Sequence, residues 1–288
     1  MVHRVIAEVI ILLVCLNVCV SAEDNKIHVP RTTLQLIKEQ GFPSETHKLT
    51  TSDGYILTIF RIPHGRTNKN DGKRRAVMLQ HGLLDCSNTW VNNMYNESLA
   101  FILADQGYDV WLGNVRGNRY SDEHVSLSKF GNGYWQFTYD EMALIDLPTM
   151  IEYILKASDN ERLHAYIGHS QGCVMGFACF STGNCSTTKT FNVGDKVDTY
   201  VAMAPAAFVG NVAVPFFKVL ASSKLPVILE KLGVKSFLPS TALLRWLLPN
   251  ACTGPIPELQ SRICWSLICI IMGCDTMVDN VNFERMGY

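Results

Sequence analysis

The segment Gly168-His169-Ser170-Gln171-Gly172 places a serine between two glycines, each two residues away. That spacing suits nucleophilic catalysis, because small flanking residues let a chain turn sharply and hold the hydroxyl strained and exposed at the bend. Three fixed positions recur by chance in about one chain in ten of this length, so context must carry the reading. It does: residues 163–167 read as a strand feeding the turn, and 171–181 as the helix leaving it. Attack by such a serine on a carbonyl creates an oxyanion, which needs preorganised N–H donors. One donor is the N–H after the serine, that of Gln171. The other is expected from a loop at the end of an earlier strand. Gln80-His81-Gly82-Leu83-Leu84 ends such a strand, and its glycine lets the backbone approach a ligand, which makes Leu83 the natural second donor.

Holding these groups in register takes a sheet. Residues 46–62 read as a β-hairpin, with alternating Tyr55-Ile56-Leu57-Thr58-Ile59-Phe60 after a Ser52-Asp53-Gly54 turn. A polar loop, 66–75, follows. Strands at 76–80, 109–112, 163–167 and 197–202 then alternate with helices at 97–106, 139–157 and 171–181. Strands joined by helical crossovers imply an α/β fold, a mostly parallel sheet with helices on both faces and the hairpin as its antiparallel edge. From Phe208 the alternation gives way to apolar stretches punctuated by Pro215, Pro226, Pro239, Pro249, Pro255 and Pro257. We read 23–207 as the core and 208–288 as a helical cap over the sheet's carboxyl edge. The apolar positions of the cap, Phe216 and Phe217 among them, suit a lipid-facing lid and a packed interior equally. The aromatics Tyr134, Trp135, Phe137 and Tyr139 read as core rather than as a lipid tunnel.

Several stretches together resemble the acid lipases, the family of the gastric and lysosomal acid lipases and many insect relatives. They are His81-Gly82-Leu83-Leu84, residues 103–114, Arg116-Gly117-Asn118, Tyr139-Asp140-Glu141-Met142-Ala143 with Asp146-Leu147-Pro148, and Gly168-His169-Ser170-Gln171-Gly172. The resemblance is dense from about Asn25 to Pro205 and looser through the cap, where the spacing of Cys252, Cys264 and Cys274 is similar. It implies an α/β-hydrolase fold and hydrolysis of neutral lipid esters, triacylglycerol or steryl ester. It also implies Ser170 as nucleophile, with Leu83 and Gln171 as oxyanion donors, and no cofactor or metal.

In that fold the catalytic residues follow the order serine, acid, histidine. All eight histidines of this sequence lie at or before His169. His169 adjoins the serine, and adjacent side chains at such a turn cannot both face one reaction centre. His81, His124 and His164 read as structural or surface residues. Of the carboxylates after Ser170, from Asp195 and Asp198 to Glu284, none ends an apolar strand. The sequence thus reads as a C-terminally truncated lipase whose last sheet strands are missing. The alternative to an enzyme is a catalytically incomplete lipase-like protein, a fragment, isoform or lipid-binding relative lacking the acid and the histidine.

Composition bounds the partners. With 25 Lys+Arg against 26 Asp+Glu there is no basic footprint for nucleic acid. Residues 1–22 have a basic start, an apolar stretch of about 12 residues, short of the ~20 a span needs, and Val20-Ser21-Ala22 before Glu23. That is the pattern of a cleaved secretory signal, and no later run is long enough to span a bilayer, so a secreted or lysosomal protein is expected. Ten cysteines fit an oxidising route. Those crowding residues 252–288, Cys252 and Cys264 among them, are the disulfide candidates, because no C-x-x-C pair suggests zinc. Asn96 and Asn184 begin N-glycosylation sequons.

Overall fold

The computed structural model describes residues 31–68, 72–181, 185–188 and 191–208. The signal segment 1–22, the cap beyond Phe208, Asn184, Cys252 and Cys264 lie outside them. In chain order the elements are α1 (Thr33–Glu39), β1 (Glu45–Thr50), β2 (Tyr55–Ile62), β3 (Ala76–Gln80), α2 (Leu99–Asp105), β4 (Asp109–Gly113) and β5 (Glu123–His124). They continue as α3 (Leu147–Ala157), β6 (Leu163–His169), α4 (Gln171–Ser181), β7 (Ser186–Thr188), β8 (Phe191–Asn192) and β9 (Val197–Met203).

The main sheet runs β1-β2-β4-β3-β6-β9, with β5 extending the start of β2. β1, β2 and β4 pair antiparallel; β4, β3, β6 and β9 pair parallel. β3 and β4 are buried along their whole length, as central parallel strands covered on both faces must be. Strand periodicity divides their side chains between two cores. Met78 and Trp111 join α3 and α4 residues such as Ile151, Ile154 and Met175 on one face. Val77, Leu79, Val110 and Leu112 join Ile37 of α1 and Phe101 of α2 on the other. Each fully buried side chain of this size contributes roughly 1.5–3 kcal/mol. Tyr134 sits wholly inside the first core with Trp135, Phe137 and Tyr139 packed on it, so the aromatic cluster is interior.

Two local features depart from the expectation. The helix expected over 139–157 starts with one turn, Tyr139–Glu141, widens into a π segment at Met142–Asp146, and becomes α3. Pro148 supplies no N–H to the carbonyl four residues back, and the N–H of Leu147 bonds to Met142 O instead. The helix expected at 97–106 begins two residues later, after an extended Ser98 whose hydroxyl accepts the Asn93 N–H. His124 lies in β5, a short strand that pairs with Tyr55. A disulfide that the sequence reading did not single out, Cys179–Cys185, ties the end of α4 to the strand that follows. Among the described residues no helix is long and apolar enough to cross a membrane.

Candidate active site

Ser170 occupies the turn between β6 and α4 with φ of 51°, a left-handed backbone that a non-glycine residue adopts only under surrounding constraint. Its N–H donates to Met203 O at the end of β9 (3.0 Å), and its carbonyl accepts the Cys173 N–H (3.0 Å), which starts α4. The flanking glycines are spatial necessities. A Cβ on Gly168 would lie 2.6 Å from the Gly172 carbonyl carbon, and one on Gly172 would lie 2.6 Å from Gln80 O. The Tyr166 hydroxyl donates to Gly172 O (2.7 Å) and fastens the turn from below.

The loop after β3 reaches this turn. A Cβ on Gly82 would sit 3.1 Å from Ser170 Cβ, so any residue larger than glycine here would press on the serine side chain. Next in the chain, Leu83 and Leu84 are 59% and 52% exposed. The N–H groups of Leu83 and Gln171 donate to no backbone or side-chain acceptor among the described residues. Gln171's lies at the helix start, where the first N–H groups have no intrahelical partner. The three residues expected to act together therefore come from the ends of two neighbouring parallel strands.

No described histidine bonds Ser170. His81 is buried, its Nδ1 2.8 Å from Gly82 O and its Nε2 3.1 Å from Asn118 Nδ2. Burial holds its imidazole below the ordinary 6.5. His169 turns toward Gly82, with Nδ1 3.2 Å from where a Cβ there would be. His124 Nε2 is 2.9 Å from Asp53 O, and His164 stacks on Tyr108 at 5.4 Å. Asp198 pairs with Arg162, and Asp195 meets Asn192 at 3.1 Å.

A buried charge cluster beneath the loop after β4 went unread in the sequence. Arg116 donates from Nε and Nη2 to Asp146 Oδ1 (2.9 and 2.7 Å) and from Nη1 and Nη2 to Asp53 (2.5 and 3.0 Å), with Tyr55 4.1 Å from its guanidinium carbon. Burial pushes the Asp146 carboxyl up to about 6 despite the pair. At Asp53 burial acts in the same direction, but hydrogen bonds from Arg116 and Thr51 outweigh it and hold the carboxyl below its usual value.

Residues 75–243 match the family described as the alpha/beta hydrolase fold, and residues 33–94 match the partial alpha/beta-hydrolase lipase region. The chain belongs to the α/β-hydrolase family. This chain is 42% identical over 256 residues to the lysosomal acid lipase/cholesteryl ester hydrolase of Macaca fascicularis, covering 88% of the chain and 60% of that protein. It is 42% identical over 253 residues to the gastric triacylglycerol lipase of Bos taurus, covering 87% of the chain and 59% of that protein. It thus spans about 60% of the length of the relatives it matches. A solved esterase of Pyrococcus furiosus aligns at 16% identity and a TM-score of 0.46, covering 71% of this chain and 65% of the esterase.

Proposed function

We propose that the site is that of a neutral lipid ester hydrolase, taking triacylglycerol or steryl ester, with Ser170 as nucleophile. The supporting observation is the left-handed Ser170 at the β6–α4 turn with the Gly82–Leu83 loop against it. Ser170 Oγ attacks the ester carbonyl carbon, its proton passes to a base from outside the described residues that then hands it to the leaving alkoxide, and the carbonyl oxygen becomes an oxyanion facing the N–H groups of Leu83 and Gln171. Collapse expels the alcohol and leaves an acyl-serine that water hydrolyses. The names of the relatives support the substrate class. The exposed Leu83 and Leu84 suit a lipid–water interface. The Cys179–Cys185 bridge supports passage through an oxidising compartment, secreted or lysosomal, with residues 1–22 as the signal. The exposed turn at Asn96 suits a glycan.

A specific observation favours a second reading, a lipase-like protein that binds lipid esters without rapid turnover. Serine needs an oriented imidazole to take its proton. Among the described residues no histidine bonds Ser170, and the neighbouring His81 is committed to Gly82 and Asn118. An oxyanion hole with bound substrate but no base leaves about 10³–10⁴-fold acceleration over water. Hydrolysis of a short-chain nitrophenyl ester by the 288-residue chain, beside Ser170→Ala, separates the readings. Turnover at roughly the 1–10³ per second of ordinary enzymes, lost in the alanine variant, supports the first reading. Slow turnover that is raised by added imidazole, and lost in the variant, supports the second.

A further inference from the structure

We propose that Asn118 is a positioning residue of the active site: by donating to His81 Nε2 it holds His81 as the Nδ1–H tautomer, whose bond to Gly82 O aims the Leu83 N–H at the oxyanion. This role rests on the reading of Leu83 as an oxyanion donor.

The orientation of the Asn118 amide follows from its neighbours. Its Oδ1 accepts the N–H of Tyr120 (2.9 Å) and of Ser121 (3.1 Å). The NH₂ group must therefore be the end that meets His81 Nε2 (3.1 Å) and Asn114 Oδ1 (2.8 Å). A second donor, the Val115 N–H, points at the same imidazole nitrogen from 3.4 Å. Nε2 receives two N–H groups, so it carries no proton. On the other side of the ring, Nδ1 lies 2.8 Å from Gly82 O, which can only accept, so Nδ1 carries the proton.

Peptide geometry carries this tautomer to the donor. Gly82 C=O and Leu83 N–H belong to one planar trans unit and point in opposite directions. A carbonyl drawn toward His81 turns the Leu83 N–H away from it, to the side where no protein acceptor meets it. In the other tautomer an Nδ1 lone pair would face the lone pairs of Gly82 O, and an Nε2 proton would face two N–H donors. Asn118 is held in turn. Asn114 Oδ1 also accepts the Ser87 N–H (2.9 Å), and Asn114 Nδ2 donates to Thr58 O (2.9 Å). The arrangement therefore spans β2, the loop after β4 and the turn beyond the Gly82–Leu83 loop, and a partly buried network whose donors are each engaged resists rearrangement.

The first test needs no variant. In protein labelled with ¹⁵N-histidine at pH 7, the His81 resonances should show an unprotonated Nε2 and a protonated Nδ1; a protonated Nε2 overturns the proposal. The second test is the rate at which a long-chain alkyl fluorophosphonate, with imidazole as external base, labels Ser170 in the 288-residue chain. Asn118→Asp keeps the size of the side chain but offers Nε2 an acceptor, so it should switch the His81 tautomer and slow labelling by about 10- to 100-fold, less than outright loss of an oxyanion donor. A merely space-filling Asn118 would leave tautomer and rate unchanged in the aspartate variant, and that result overturns the proposal. Failure of the unmodified chain to label at Ser170 overturns the nucleophile reading itself and the role of Asn118 with it. Circular dichroism melting of each variant identifies any slow rate that reflects unfolding, and the ¹⁵N measurement on unmodified protein then decides.

Discussion

Gly172 of α4 lies against the end of β3 so closely that a methyl on its Cα would sit 2.6 Å from Gln80 O and 2.9 Å from His81 O. The glycine therefore sets how near the serine turn comes to the loop that bears Leu83. Gly172→Ala should push α4 off β3, cost about 1–3 kcal/mol as an overpacking change, and sharply reduce labelling of Ser170. Chemical denaturation and fluorophosphonate labelling, run on the same preparation, check both. Unchanged stability and labelling would mean the contact relaxes freely.

Arg116 offers a second test. Arg116→Gln leaves the fully buried Asp146 carboxylate without its cation, and breaking a buried pair from one side costs about 3–5 kcal/mol. The loss has a pH signature. Burial already raises Asp146 to about 6 with the arginine present, and without it the carboxyl takes a proton more readily still. The deficit against unmodified protein should be largest at alkaline pH, shrink as the pH falls toward about 6 while only the variant takes up the proton, and level off below that, where both proteins carry it. A deficit that is flat with pH would place the cost elsewhere.

How much of this was open to reading depended on sequence distance. β3 and β4 announced themselves as short apolar runs between turn residues, and the serine turn as glycines at fixed spacing, so the fold and the turn that carries the proposed nucleophile were legible. The Arg116–Asp146–Asp53 cluster joins residues 30 and 63 positions apart, and no local pattern marks such a pair. Asn118 meets His81 across 37 positions and was equally silent. α1 was different, because Thr32 and Gln35 form a capping box: the Gln35 N–H reaches Thr32 Oγ1 and the Thr32 N–H reaches Gln35 Oε1. That signal is local, a threonine three residues before a glutamine, and stands in the sequence itself.

His81 makes a prediction for mild acid. Burial holds its folded pKa below the ordinary 6.5, so below pH 6.5 the unfolded chain binds a proton that the folded chain does not. Its contribution to stability therefore falls as pH falls through that window, by up to about 1.4 kcal/mol per unit. Asp146, with its raised value, acts oppositely between 3.8 and about 6, since the folded chain there holds the extra proton. Comparison with His81→Gln, which shares Asp146, isolates the histidine. The stability gap between the two proteins should narrow from pH 7.5 to pH 5.5, and a constant gap would show that His81 titrates normally.

The Cys179–Cys185 bridge closes a short loop, with a sequence separation of 6. Loop-closure entropy for a ring of that size amounts to about 2 kcal/mol. The double variant Cys179→Ala, Cys185→Ala should lose about that much in urea denaturation. Addition of a reductant should bring the unmodified chain down to the stability of the variant. A variant as stable as the oxidised chain would show that the bridge constrains nothing.

Whether Ser170 is the nucleophile is tested most directly by locating the covalent adduct. The 288-residue chain is incubated with a long-chain alkyl fluorophosphonate and imidazole, digested, and mapped by mass spectrometry. A single adduct on Ser170, absent from Ser170→Ala and slower to form in Gly172→Ala, is the expected result. An adduct spread over other serines and undiminished in Ser170→Ala is incompatible with a built nucleophile at the β6–α4 turn.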